Sequence, residues 1–203
     1  MSENNTKITD WRKLKFASTE KVRIDNYTDE YARYEMWVSP TENPKNPLIA
    51  IVLNPCGKND DKNFSKTTDT LRKIAFNNHY DGLAILNLCP LVTSDASELR
   101  NKTSELKDSV HQENLKHIHD IAEQYKKSDT LLCFGKAIVK LHLDEYLKDI
   151  CDALSSTNKN RRFLRLDAKR LNKPYANPPH PSRISPLTAL KPMNVDDYIT
   201  SIL

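Results

Sequence analysis

The sequence predicts a three-layer α/β/α domain built on a four-stranded, mainly parallel central sheet. Two observations predict it: four short apolar runs recur along the chain, and helical patterns separate them. The first run, Leu48 to Leu53, is apolar at every position, as a strand covered on both faces must be. Strands that alternate with helices imply right-handed crossovers and therefore parallel pairing. The length of 203 residues suits one domain, and chains of this size hide roughly 70% of their unfolded surface.

The elements follow in order. Residues 1–20 are polar, lack periodicity and are expected to form a loose arm. Residues 22–38 suggest a short β-hairpin, with Tyr31, Tyr34, Met36 and Trp37 as its apolar face. Residues 41–47 form a turn, and residues 48–53 the first strand. Residues 66–79 have helical spacing, with Leu71, Ile74 and Ala75 on one side. Residues 82–86 are the second strand. Residues 108–127 form a long helix whose inner face carries Val110, Leu115, Ile118, Ile121, Ala122 and Tyr125. Residues 130–134 are the third strand, 137–154 another amphipathic helix, 163–166 a shorter fourth strand, and 194–203 a closing helix. Residues 1–40 are thus an arm and hairpin and residues 41–203 the α/β domain, one globular unit overall.

Composition excludes several classes. Three glycines leave no glycine-rich phosphate loop, and both the dinucleotide fingerprint and the P-loop pattern are absent. Cys56, Cys89, Cys133 and Cys151 are far apart with no CxxC pair, so no metal cluster is expected. Neither a signal peptide nor an apolar run near 18 residues occurs. A cytoplasmic protein with reduced thiols, no cofactor and no membrane partner is expected. The net charge of +4 is mild. Its distribution is more telling, because residues 157–173 hold seven basic residues, Arg161 and Arg162 among them, against one acid. A solvated face is the plain reading of such a run, and phosphate binding the functional one.

That stretch leads into Asn177-Pro178-Pro179-His180-Pro181-Ser182-Arg183-Ile184-Ser185-Pro186-Leu187. Proline fixes φ, removes backbone donors and biases its predecessor away from helix. The segment is therefore a stiff loop presenting His180, Ser182, Arg183 and Ser185. In parallel sheets, ligands bind beyond the carboxyl ends of the strands. Here those ends are Asn54-Pro55-Cys56-Gly57, Asn87-Leu88-Cys89-Pro90, Gly135-Lys136 and, after the fourth strand, the proline-rich loop. Two asparagines, a histidine, a lysine and a serine would converge on one rim. Neither a Ser nor a Cys sits on a nucleophile elbow. His111, His117 and His119 on the long helix are read as surface or packing residues.

Four segments, in order, resemble the uracil-DNA glycosylase superfamily: Ile51-Val52-Leu53-Asn54-Pro55, the run from Gly82 to Thr93 that contains Asn87, Leu131-Leu132-Cys133-Phe134-Gly135-Lys136-Ala137, and His180-Pro181-Ser182. Together they span residues 48–190. The chain also resembles an uncharacterised bacterial family labelled domain of unknown function 1643, through Leu53-Asn54-Pro55, Asn87-Leu88, Glu113-Asn114 and the late His-Pro. The glycosylase resemblance implies a uracil-DNA glycosylase-like fold and a role for each matched residue. Asn54 would position the attacking water, and Asn87 would bond the Watson–Crick edge of a flipped pyrimidine. His180 would donate to the pyrimidine O2 as charge builds on the departing base. Ser182 would hold a phosphate and Arg183 would fill the gap left by the flipped nucleotide. Ser185, Lys136, Arg161 and Arg162 would contact DNA. Phe64 is the candidate stacking aromatic.

Two departures from the superfamily pattern matter. Asn54 stands where the uracil-specific branch has an acid. Cys56 stands where that branch has a tyrosine that blocks a 5-substituent, so the resemblance points to a C5-enlarged pyrimidine such as a modified base of phage DNA. The expected activity is monofunctional glycosylase action on duplex DNA by a monomer, in anti-phage defence or repair. The alternatives are a non-catalytic reader of modified DNA on the same fold and a hydrolase of free nucleosides or nucleotides.

Overall fold

The structure is a computed structural model that describes residues 18–19, 22–23, 31–41, 43–55, 64–93, 99, 108–168 and 177–202. Its strands are β1 (Ser18–Thr19), β2 (Val22–Arg23), β3 (Tyr31–Ala32), β4 (Glu35–Val38), β5 (Pro47–Val52), β6 (Gly82–Asn87), β7 (Thr130–Leu132), β8 (Phe163–Leu166) and β9 (Leu190–Pro192). The helices are α1 (Lys66–Asn77), α2 (Asp108–Gln124), α3 (Ala137–Lys140), α4 (Asp144–Thr157) and α5 (Val195–Ile202).

The α/β class holds, but the sheet is larger and more mixed than four mainly parallel strands. Seven strands lie in the order β1-β4-β6-β5-β7-β8-β9. The four expected strands form its parallel centre, β6-β5-β7-β8. Antiparallel β4 extends one side and antiparallel β9 the other. The region expected to be one hairpin divides instead. β2 and β3 pair with each other, whereas β4 pairs with β6, and β1 with β4. β9 carries Pro192, which an edge strand tolerates because one side of its ladder needs no donor. Of the expected N-terminal arm, all but residues 18 and 19 lie outside the described residues.

The parallel centre explains where the helices sit. From β5 the chain crosses through α1 to β6 on one side; from β6 it returns through α2 to β7 on the other, and continues through α4 to β8. Right-handed crossovers in opposite directions place their helices on opposite faces. Two separate cores result. Leu48, Ala50 and Val52 face one way and meet Leu71, Ile74 and Ala75 of α1. Ile49, Ile51 and Leu53 face the other and meet Ile118, Ile121, Leu147, Ile150 and Tyr198. All six residues of β5 are buried, which is why its sequence does not alternate.

The helix expected over 137–154 is broken into α3 and α4, with His142 between them at φ 53°. Leu141 and Leu143 flank it at 6% and 0% exposure. Residues two apart point to nearly opposite sides of a helix, so a straight helix would expose one of them. The left-handed step buries both, and no glycine or proline announces it.

At the end of the sheet where the parallel strands begin, Arg161 acts as a staple. It is 6% exposed and donates to the carbonyls of Leu154, Ser128 and Ala122 at 3.1, 3.1 and 2.8 Å. Arg162 beside it pairs with Asp129, which also accepts from the Tyr80 hydroxyl at 2.5 Å. At the opposite end, Gly135 follows β7 in the left-handed region at φ 79°. Its N–H donates to the Pro178 carbonyl at 2.8 Å. A Cβ at Gly135 would lie 3.1 Å from the His180 Cβ, so glycine serves both the backbone angle and the close approach.

Two stability predictions follow from these two ends. Arg161→Ala strands several buried carbonyls and is expected to cost about 3 kcal/mol in urea unfolding. A cost near zero would show that Arg161 is a surface cation. Gly135→Ala adds left-handed strain and a crowded Cβ, with an expected cost of about 1–3 kcal/mol. It should also shift the His180 ring resonances in an NMR spectrum, and unchanged resonances would contradict the close approach.

Candidate functional site

Connections run from β5 toward β6 on one side and from β7 toward β8 on the other, so the topological switch lies between β5 and β7. A crevice is expected beyond their carboxyl ends, and a cleft of about 990 Å³ opens there. Its lining includes Asn54 after β5, Asn87 at the end of β6, Gly135 and Lys136 after β7, and Asn177, His180, Ser182 and Arg183 from the proline-rich loop. Segments far apart in sequence thus meet at one rim.

The loop is fixed from three directions. The Gly135 amide holds Pro178, Asn77 Nδ2 at the end of α1 holds the Pro186 carbonyl at 3.1 Å, and Ile184 packs against the α1-side core. Within it Pro181–Arg183 form one 3-10 turn capped by His180. The Ser182 N–H points at His180 Nδ1 at 3.3 Å, and the Ser182 Oγ lies 2.9 Å from the same atom. A backbone N–H can only donate, so Nδ1 carries the lone pair and the neutral ring holds its proton on Nε2. The Ser182 hydroxyl therefore donates to Nδ1 as well. Its role here is to orient the imidazole, whereas a phosphate-holding role would need that same proton. Burial, with the nearby Arg183 charge second, holds the His180 pKa below its ordinary value. At neutral pH the site presents an uncharged Nε2–H donor.

Three asparagines are set in the same manner. Asn54 Nδ2 donates to the carbonyls of Pro55 and Thr93 at 3.1 and 3.3 Å, which leaves Oδ1 as its acceptor. Asn87 is 1% exposed. Its Nδ2 donates to the Arg33 carbonyl at 3.0 Å, while its buried Oδ1 has no protein partner. Asn177 is reversed. Its Oδ1 accepts from the Tyr198 hydroxyl of α5 at 2.5 Å, which leaves Nδ2 as a donor. Behind Asn87, the fully buried Asn114 of α2 donates from Nδ2 to the Asn87 main-chain carbonyl at 3.0 Å and fixes the strand end.

The formal charges among the described lining residues have one sign. The described lining residues include Arg33, Lys136, Lys140 and Arg183, and no Asp or Glu. Lys136, Lys140 and Arg183 are exposed at the mouth, and none of the ion pairs among the described residues involves them. Arg33 is 1% exposed on the floor. Its N–H donates to the Pro90 carbonyl at 2.8 Å, and its own carbonyl receives Asn87. Such a cleft suits an anionic ligand with hydrogen-bonding groups at its inner end.

Asn54, Asn87, Lys136, His180, Ser182 and Arg183 are all brought together. Arg161 and Arg162 are not. They precede β8, at the opposite end of the sheet, where Arg161 is buried on carbonyls and Arg162 is paired with Asp129. Phe64 packs at the edge of the α1-side core with the Arg72 guanidinium 4.9 Å from its ring centre, and it does not line the cleft. Ser185 is exposed in the next turn, where its Oγ accepts from the Leu187 N–H. Cys56 lies outside the described residues. Arg33, Lys140 and Asn177 were missed. Asn177 opens the proline-rich run and carried a visible signal. Arg33 did not, since an arginine in a short hairpin is ordinarily solvated.

Among the described residues, no group of three or more His, Cys, Asp or Glu could hold a metal ion. Nor is any described helix long and apolar enough to cross a membrane. Cys89, Cys133 and Cys151 are buried.

No curated protein and no solved structure matches the chain. A family model described as "Protein of unknown function (DUF1643)" matches residues 33–182. That interval begins at Arg33 of the cleft floor and ends at Ser182 of the histidine loop, so it encloses most of the site. The chain belongs to the DUF1643 family.

Proposed function

We propose that the protein is a monofunctional DNA glycosylase that hydrolyses the N-glycosidic bond of a pyrimidine flipped out of duplex DNA. The observation that carries the reading is the set polarity of three side chains. His180 offers an uncharged Nε2–H donor, while Asn54 and Asn87 offer carbonyl oxygens from neighbouring strand ends. The resemblance of four ordered sequence motifs to the uracil-DNA glycosylase superfamily supports the same reading.

The chemistry needs what these groups supply. The bond from C1′ to the base nitrogen breaks with its electrons passing to the base, and charge collects on the base carbonyl oxygen. His180 donates to that oxygen. Asn87 Oδ1 accepts an N–H of the base edge, the partner its buried position otherwise lacks. Asn54 Oδ1 accepts a hydrogen bond from the water whose oxygen attacks C1′ and so positions it. The proton of that water leaves with the base or to solvent. Lys136 and Lys140 engage backbone phosphates at the mouth, as flipping requires. Arg183, exposed on the 3-10 turn, would fill the gap left in the duplex.

A pyrimidine enlarged at C5 is the proposed base, with phage DNA as its source and defence as the purpose. Cys56 in the sequence supports it. So does the described cleft wall, whose one aromatic, Phe134, is 1% exposed. A second reading, a non-catalytic reader of modified DNA, is favoured by the absence of any carboxylate among the described lining residues.

The deciding experiment incubates the protein with duplexes bearing uracil, thymine mismatches, or hydroxymethylated or glucosylated cytosine, with mass spectrometry of released base. Release of one of these is expected. His180→Ala should slow it about 100-fold or more, and Asn54→Ala should also slow it, both with unchanged DNA affinity. Binding without release from every duplex would replace the enzyme by the reader.

The pH dependence has a definite sign. Because the folded His180 pKa is lowered, the rate should stay level from neutral pH through the ordinary imidazole value of 6.5 and fall only below it. Protonation there places an N–H on Nδ1 against the Ser182 donors. Stability slopes the same way. The unfolded chain takes up the proton first, so this contribution is present above 6.5 and lost as pH falls through the lower folded value. A rate that rises below pH 6.5 would contradict the neutral donor.

A further inference from the structure

Asn177 has no part in the mechanism above, yet it lines the same cleft and its amide is locked. Tyr198 supplies the lock from the C-terminal helix. It is 2% exposed, its ring packs with its centroid 6.2 Å from that of Phe134, and its hydroxyl donates to Asn177 Oδ1 at 2.5 Å. Tyr198 is the donor in that bond, and burial, with the neighbouring Cys151 second, pushes its pKa up so that the hydroxyl keeps the proton it donates. With Oδ1 committed, Asn177 can offer the cleft only N–H.

Asn177 and His180 are separated by two prolines in one stiff segment, and both present donors. Asn54 and Asn87, from the ends of β5 and β6, both present acceptors. The cleft therefore has a donor wall and an acceptor wall. Each polarity is set by an intramolecular hydrogen bond and exists before any ligand arrives.

We propose that Asn177 is a specificity-determining donor to the ligand carbonyl beside His180, and that Tyr198 is its positioning residue. Resting on the base-binding reading above, this narrows the ligand to a lactam-type ring. Such a ring carries an N–H or amino donor toward Asn87 and a carbonyl acceptor toward the 177–180 segment. Pyrimidines with a 2-carbonyl have this pattern, whereas an abasic sugar lacks it. Two donors on one carbonyl oxygen also stabilise the charge that develops there.

The test measures equilibrium binding to two sets of duplexes. One carries a single 2′-fluoroarabino nucleotide, whose glycosidic bond resists cleavage, with uracil or 5-hydroxymethylcytosine as base. The other carries a tetrahydrofuran abasic unit at the same place. The wild-type protein should prefer a base-bearing duplex. Asn177→Asp keeps the side-chain shape but replaces the donor by an acceptor, and Tyr198→Phe keeps the packing but removes the lock. Each should lower the preference about tenfold, the loss expected for one hydrogen bond. Affinity for the abasic duplex should stay the same in Tyr198→Phe, and the added charge of Asn177→Asp weakens both duplexes alike, so the readout is the ratio of the two affinities, which a general loss of structure would not move. A preserved preference in Asn177→Asp would overturn the role of Asn177 and leave the base-binding reading standing. No preference in the wild-type protein would overturn that reading, and this inference with it. Should Tyr198→Phe fail to fold by thermal melting, Asn177→Asp decides alone.

Discussion

The hydrogen bond from the Gly135 amide to the Pro178 carbonyl joins two parts of the chain that share no strand pairing at that point. On one side is the end of β7, whose position the parallel sheet fixes. On the other is the proline-rich segment, which has few backbone donors with which to fix itself. A residue with a Cβ at 135 would meet the His180 Cβ at 3.1 Å and would also resist a φ of 79°. The imidazole, its Ser182 partners and Asn177 all lie within a few residues of that contact, so their distances from Asn54 and Asn87 are inherited from it.

A second device recurs around the cleft. Asn54, Asn177 and His180 each spend one polar atom on the protein and keep the other for the cleft, while Asn87 spends Nδ2 and keeps a buried Oδ1 at the cleft wall. An amide that rotates freely can donate or accept and so discriminates little. One that is pinned must do one or the other. Preorganisation of this kind costs stability. The buried Asn87 Oδ1 has no protein partner, and such an orphan carries a penalty of about 1–3 kcal/mol. Hydrophobic burial on both sheet faces sustains that cost, and a ligand N–H would relieve it. Stability given up at a functional site is the usual pattern.

The parallel centre was legible because strands buried on both faces have to be continuously apolar, as Leu48 to Leu53 are, and because rim residues follow directly from strand ends. Asn54, Asn87, Lys136 and His180 could be named on that basis alone. The edges were not legible. β1, β4 and β9 are two to four residues long, too short for periodicity to decide, and Pro192 argues against a strand unless the strand is known to be an edge. Arg161 and Arg162 of the basic run misled for a related reason. Linear proximity to the proline-rich loop suggested shared function, yet β8 lies between Arg161 and that loop and carries the chain from one end of the sheet to the other. Arg161 then serves buried carbonyls, a use of arginine that no charge count distinguishes from phosphate binding. Arg33 is the converse case, a cation whose place on the cleft floor comes from pairing of its backbone with Pro90 and Asn87.

The separation of charge within the cleft bears on how it could act. The exposed formal cations stand at the mouth, Arg33 is buried on the floor, and the donors of the proline-rich segment, His180 Nε2–H and Asn177 Nδ2–H, are neutral. A cation placed against the base would attract any anion, including the released base, and would bind ground state and product as well as transition state. A neutral N–H forms an ordinary hydrogen bond to a ground-state carbonyl and a stronger, charge-assisted one as that oxygen becomes anionic. Only the increment between the two accelerates the reaction. The lowered His180 pKa preserves that increment, since the imidazole stays uncharged beside Arg183. On the glycosylase reading proposed above, the cations at the mouth would act on phosphates, which carry the same charge before and after the bond breaks and so would contribute binding without altering the step.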